Sequence, residues 1–308
     1  MSSTKIYNNS ERIDFDIKDI PSRQEPTKVL MCTPDCFDVV DVKNPHMNGN
    51  AGHVNKSKAQ EQWHAIKLFY QLLVTAGHLE KYCEIEGAVG CEDMVFAANQ
   101  TLPWQFKDGS KKVILSKMKH PSRQKEVPFF KKLFSDKGYE ILELKNTQHF
   151  EGMGDTIPHP GKHLLYGGYG HRTEVNAYEE ISQLLDVKIV LLELVDEKFY
   201  HLDTCFLPLD EETVMIYKNA FTSDGLLILK KTFKKIIEVP LEEAERGFAL
   251  NAHVIKDSKS NSKHVLIQQG NDFTISQLKA LGFIVTETDT SEFMKSGGSV
   301  FCMKMMLY

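Results

Sequence analysis

The sequence contains no apolar run approaching the roughly 18 residues a membrane-crossing helix needs. Its opening, MSSTKIYNNSERIDFDI, has no apolar core of a secretory leader. A cytoplasmic chain without a membrane partner is the expectation. Basic residues never gather into a run, and 37 Lys+Arg stand against 42 Asp+Glu for a formal charge of -5. Nucleic acid, which needs concentrated Lys and Arg, is therefore not an expected partner. Cysteine is scarce: Cys32, Cys36, Cys83, Cys91, Cys205 and Cys302 are too few for a disulfide scaffold. Cys32 and Cys36 have no second pair nearby to close a tetrahedral zinc site, so buried thiols are expected, with no metal and no cofactor. Tryptophan is limited to Trp63 and Trp104, read as packing residues.

What is present is a repeat. An apolar run opens at Lys28 and recurs as Lys111–Ser116, Lys162–Gly167, Thr213–Tyr217 and Lys263–Ile267, the later starts about fifty residues apart. A helical pattern follows in four copies, over Pro128–Lys137, Glu174–Leu185, Leu226–Lys235 and Thr274–Leu281. Two of these stop at a glycine, Gly138 or Gly282. A second short strand then reads as Tyr139–Leu144, Val187–Leu192, Lys235–Val239 and Phe283–Glu287. Each copy thus reads strand, helix, strand. The polar stretch Asp257–Lys263 reads as a loop, and the first 27 residues as a loosely held arm ahead of one α/β domain over 28–308.

Each copy ends in a polar or glycine-bearing segment with one chemically capable side chain. Glu151, His201, Asn251 and Cys302 fall at the same period as the strands, and the earliest copy carries Asp93 and Asn99 at that phase. Side chains at one phase of a closed repeat converge, which assembles an acid, an imidazole, an amide and a thiol. The competing view is that these are merely the polar ends of strands.

Cys302 follows Ser296-Gly297-Gly298-Ser299, which permits close backbone approach to a ligand. It also fits a small core residue in an apolar strand from Val300 to Met305. His201 has Asp203 two residues on, read as the acid that fixes its tautomer. Glu151 and Asp155, acceptor-only when ionised, suit the N–H donors of a planar cation. A thiol, an imidazole and carboxylates could serve a protease, an acyl transfer or attack on a guanidinium carbon. The acids favour a cationic substrate.

The segments Phe150-Glu151-Gly152-Met153-Gly154-Asp155, Phe199-Tyr200-His201-Leu202-Asp203-Thr204 and Gly297-Gly298-Ser299-Val300-Phe301-Cys302, with Asp93-Met94-Val95-Phe96-Ala97-Ala98-Asn99, resemble the guanidine-modifying enzymes of the pentein fold. These are the amidinotransferases, arginine deiminases, dimethylarginine dimethylaminohydrolases and arginine dihydrolases. The resemblance runs from about Lys28 onward in order and spacing. It implies a five-bladed pseudo-symmetric α/β propeller of ββαβ units around a substrate channel. It also implies Cys302 as nucleophile, His201 as general acid/base and Glu151 holding guanidinium nitrogens. Asp93 and Asp203 would be secondary acids, and Arg123 and Arg172 would bind a substrate carboxylate, unless they are solvated surface charges. Asn99 stands where deiminases and dimethylargininases carry an aspartate; it and Asn44-Pro45-His46-Met47 look more like arginine dihydrolases and some amidinotransferases.

The function implied is a cysteine hydrolase of a free arginine-like guanidino compound, acting through a covalent thiouronium adduct. An amidinotransferase, handing the amidino group to an acceptor amine, and a propeller that only binds remain as alternatives. The expected partner is a small guanidino molecule, with a homo-oligomer left open.

Overall fold

The computed structural model describes residues 5–257 and 262–308. Residues 1–4 of the expected arm and 258–261 of the expected polar loop lie outside the described residues. The chain divides into two compact units: residues through Glu25 with Asn99–Glu238 and Tyr308 in one, and Pro26–Ala98 with Val239–Leu307 in the other.

The first unit holds three sheets on one plan. In each, a short strand runs antiparallel to a central strand, and a helix then returns the chain to a third strand parallel to the second. The strands are Thr101–Gln105, Lys111–Leu115 and Glu140–Glu143; then Thr156–Pro158, Leu164–Tyr169 and Lys188–Glu193; then Phe206–Pro208, Thr213–Ile216 and Lys235–Glu238. The second unit holds two more such sheets. His253–Lys256 and Ile284–Thr288 flank Lys263–Gln268, and Lys304–Leu307 and Lys81–Ile85 flank Lys28–Cys32. The central strands are buried along most of their length, as Val214, Met215 and Ile216 are, because parallel strands need cover on both faces. That requirement makes them continuous apolar runs rather than alternating ones, and it is the origin of the repeat visible in the sequence.

Helix boundaries follow local chemistry. Val127–Asp136 has Pro128 in its first turn, buries Phe130 and Phe134 four residues apart, and ends as Gly138 takes a φ of 78°. The helix expected from Leu226 starts three residues earlier, at Ser223, because the Thr222 hydroxyl accepts the Gly225 N–H at 3.1 Å. It stops at Thr232, so Lys235 belongs to the following strand. The helix expected from Glu174 begins at Ala177. The longest helix, Lys56–Thr75, was not anticipated; its buried stripe of Trp63, Ile66, Tyr70 and Leu73 repeats at three and four residues. Trp63 packs there and donates its indole N–H to the Cys32 carbonyl at 2.8 Å.

Residues 5–25 are tied down rather than loose. Ile6–Tyr7 adds a parallel strand beside Ile189 and Val190. The backbone N–H of Ser10 bonds the Asp224 carboxylate, and the Arg23 backbone N–H donates to the Gly161 carbonyl. Pairing an edge strand supplies backbone partners that its composition does not advertise.

The short antiparallel strands explain the period of the candidate residues. Asn99, Glu151, His201, Asn251 and Cys302 each stand between two and five residues ahead of one. The turn entering that strand is the same place in every repeat.

Candidate active site

The candidate residues form one cluster in each unit. In the first, Glu151 is fully buried and its carboxylate has three ties: Oε1 accepts the Lys119 backbone N–H at 3.0 Å, while Oε2 accepts Arg172 Nη1 at 2.9 Å and His201 Nε2 at 2.7 Å. Burial pushes this carboxyl up, but Arg172, His201 and Arg123 together outweigh it and hold it well below the usual carboxylate range. Burial likewise drives the His201 imidazole down, to about 4, against the pull of Glu151, and Arg172 and Arg123 add to the fall. Arg172 has already neutralised Glu151, so at neutral pH we assign an uncharged imidazole beside an ionised carboxylate. A carboxylate only accepts, so Nε2 carries the proton and Nδ1 presents its lone pair. Nδ1 has no hydrogen-bond partner among the described residues. Nδ1 is therefore the open acceptor of the group.

Two glycines permit this packing. A Cβ on Gly152, whose φ is 53°, would fall 2.6 Å from the carbonyl oxygens of Asn99 and Thr101. One on Gly154 would fall 2.3 Å from Asn99 Nδ2 and 3.3 Å from His201 Nδ1. At Gly152 the clash is with backbone, so no side chain fits there, while one at Gly154 would have to displace the Asn99 amide.

Several residues stand in roles other than those expected from sequence. The carboxylate that fixes the His201 tautomer is Glu151, fifty positions away, and His201 caps a turn of 3-10 helix rather than lying on a strand with Asp203. Asp203 is buried beside Asp155 and helps raise its pKa. Asp155 accepts the Leu202 N–H at 3.1 Å through Oδ1. Burial first, and the negative neighbours Glu151 and Asp203 next, push its pKa well above the carboxylate range. Asp155 thus holds the His201 turn through the Leu202 N–H, in surroundings that disfavour its anion. Arg123 and Arg172 are both buried, which removes the surface reading. Arg172 pairs with Glu151 and lies over the Tyr200 ring at 4.6 Å, and Arg123 is held by Glu126 and Asn99.

In the second unit the thiol has a dedicated partner. Asn251 is fully buried, and its Oδ1 accepts two backbone N–H groups, from Ser299 at 3.0 Å and Cys302 at 3.2 Å. With the oxygen so engaged, the NH2 end must face elsewhere, and it donates to Cys302 Sγ at 3.2 Å. A donor aimed at sulfur favours thiolate over thiol. Cys302 lies in a turn just before Lys304–Leu307, not in the apolar strand that was the competing expectation. Glycine lets it sit close to its neighbours: a Cβ on Gly298 would meet the Phe96 ring at 2.4 Å and Cys302 Cβ at 3.2 Å. Asp93 bonds Ser296 Oγ at 2.8 Å and pairs with Lys43 at 3.0 Å, while Asn44 Nδ2 donates to the Ser296 carbonyl.

Sequence reasoning missed Lys43, Glu126 and Gln100, and Thr173, whose Oγ1 accepts the Glu151 N–H at 3.1 Å. Only Arg123 and Glu126, three apart, left a trace as an acid and base at helical spacing. Among the described residues no three His, Cys, Asp or Glu side chains gather as a metal site would require, and no helix is long and apolar enough to cross a membrane.

Five ββαβ sheets with a thiol and a carboxylate–imidazole group at the turns define the pentein class, and comparison with solved structures agrees. The N-terminal domain of ArgZ, covalently bound to a reaction intermediate, matches with a TM-score of 0.81 at 33% identity, covering 91% of this chain and 97% of that one. A dimethylarginine dimethylaminohydrolase structure from Pseudomonas aeruginosa shares the fold at 20% identity, with a TM-score of 0.73 over 92% of this chain and all of that one. The family described as eukaryotic N,N dimethylarginine dimethylhydrolase matches residues 82–308, and this chain belongs to it. The bifunctional arginine dihydrolase/ornithine cyclodeaminase AgrE of Nostoc is 33% identical over 90% of this chain, which spans 37% of that protein's length. The N(G),N(G)-dimethylarginine dimethylaminohydrolase of Mycobacterium tuberculosis is 31% identical over 94% of this chain and 89% of its own.

Proposed function

We propose that this protein is a cysteine-dependent hydrolase of the guanidino group of arginine or a close analogue, and that it removes that group in two hydrolyses. The observation that carries the reading is the Asn251 amide, locked by two backbone donors so that its NH2 supports the Cys302 sulfur. The relatives whose names specify arginine dihydrolase and dimethylarginine dimethylaminohydrolase support the substrate class.

In this reading the Cys302 sulfur adds to the guanidinium carbon as a thiolate, and the proton the thiol has lost is held on His201 Nδ1 and passed to the departing ammonia, which leaves a thiouronium adduct. Water then adds to the same carbon and gives up a proton to His201 Nδ1, with the imidazolium stabilised by Glu151. Collapse expels the thiolate and leaves a ureido product. A second water converts the ureido group to amine, carbon dioxide and ammonia. Asn99 favours this second step over a dimethylargininase that stops at the ureide: its amide cannot hold a cation by charge, and it directs N–H donors that a ureido oxygen can accept.

The test is incubation with arginine and with dimethylarginine, quantifying ammonia, ureido product and free amine, with and without glycine as acceptor. Arginine yielding ammonia and amine is expected. A new guanidino compound appearing only with glycine would convert the reading to amidino transfer. Cys302→Ser should lower turnover at least about a thousandfold while the thermal transition persists. Wild-type rates in that variant would remove the covalent mechanism.

A further inference from the structure

Asn99 is one end of a buried chain of charge-directed hydrogen bonds. Gln100 Nε2 donates to Glu126 Oε2 at 2.7 Å. Glu126 then takes Arg123 in a fork, with Nε to Oε1 at 3.2 Å and Nη2 to Oε2 at 3.0 Å. The remaining edge of that guanidinium donates from Nη1 to Asn99 Oδ1 at 3.0 Å. Asn99, Gln100, Arg123 and Glu126 are all buried. A guanidinium has only donors, so it dictates which end of the amide it meets: the oxygen. The Asn99 NH2 must then point away, and Nδ2 has no hydrogen-bond partner among the described residues.

That nitrogen is directed toward the turn at Gly154, the position whose Cβ would also contact His201 Nδ1. The two nitrogens are no farther apart than two hydrogen bonds laid end to end. One is a donor and the other, by the tautomer above, an acceptor. A guanidinium cannot satisfy this pair, because it has no acceptor. A neutral ureido group can, its carbonyl taking the Asn99 N–H and its own N–H meeting the imidazole.

We infer that Glu126 is a positioning residue that acts through Arg123 to hold the Asn99 amide donor-inward, and that this selects the ureido intermediate for the second hydrolysis. The inference rests on the two-step reading above. Without Glu126 the guanidinium loses the fork that sets its orientation, and with it the restraint on the Asn99 amide.

Two variants test it: Glu126→Gln, and the charge-balanced double substitution of Arg123→Met with Glu126→Met, which removes both buried charges of the fork together rather than stranding one. Arginine and citrulline are the probes, with the ratio of ureido product to free amine as the readout. Loss of one oriented hydrogen bond should raise that ratio by about tenfold. A merely structural role would lower arginine and citrulline turnover in step and leave the ratio unchanged, which overturns the inference. If the wild type turns over neither probe, the functional reading fails, and positioning is decided by the Asn99 side-chain NH2 resonances, assigned by their loss in Asn99→Asp. A sharp pair that shifts or broadens in the double variant supports the inference; a pair that does not respond refutes it.

Discussion

The Asn251 amide performs two separable tasks, and two substitutions pull them apart. Asn251→Ala removes both: the N–H groups of Ser299 and Cys302 lose their buried acceptor, at about 1–3 kcal/mol each. The Cys302 turn should therefore loosen, with a loss of several degrees in Tm. Asn251→Asp keeps an oxygen for those two donors but places a second oxygen, now anionic, where an NH2 stood 3.2 Å from sulfur. Two like charges at that distance repel by about 5 kcal/mol at an effective dielectric near 20, equivalent to about 3–4 pKa units for the thiol. Part of this is relieved when the new carboxyl takes up a proton, so the expected observable is a rise of at least about one unit.

The assay is the rate of iodoacetamide alkylation of Cys302 against pH, read from its own peptide by mass spectrometry because five other free cysteines are present. Asn251→Asp should shift the midpoint to higher pH with Tm close to wild type, while Asn251→Ala lowers Tm. An Asn251→Asp profile that superimposes on wild type would mean that the amide does not act on the sulfur, and the proposed activation of Cys302 would fall.

The His201 environment yields two further expectations. Arg172 pushes the imidazole pKa down, so Arg172→Met should move it up from about 4 toward the ordinary histidine value, and the acid limb of the pH–rate profile should rise with it; an unmoved limb would refute the assigned electrostatics. Asp155, whose native pKa is raised by burial first, keeps a proton that the unfolded chain has already lost above about pH 3.9. Native stability is thus fully supported below that value and declines as pH rises toward the native pKa. Asp155→Asn has no proton to lose and keeps an oxygen for the Leu202 N–H, so its Tm should exceed wild type at pH 8 and converge with it near pH 4. A Tm deficit at pH 8 would show that Asp155 is needed as an anion.

Much of the architecture is visible without coordinates because its cause is local. Central strands buried on both faces must be continuous apolar runs, and helix stops such as Gly138 and caps such as Thr222 are single-residue events. The three-residue strands Thr156–Pro158 and Phe206–Pro208 are invisible because so short a run has no period, although they give the catalytic turns their common place in the repeat. Residues 5–25 look unstructured because pairing at a sheet edge depends on the edge and not on the arriving strand.

The residue types of the site, a thiol, an imidazole, carboxylates and two amides at one phase of a repeat, are determined by the sequence alone. Their protonation states and orientations are not. Asp155 and Glu151 read as equivalent acids, yet their pKa values move in opposite directions, because only Glu151 has guanidinium and imidazole partners against the same burial. Asn99 and Asn251 read as equivalent amides, yet one has its oxygen taken by a guanidinium and the other by two backbone N–H groups. Charge state and hydrogen-bond direction depend on which distant groups arrive within about 3 Å, and only folding settles that.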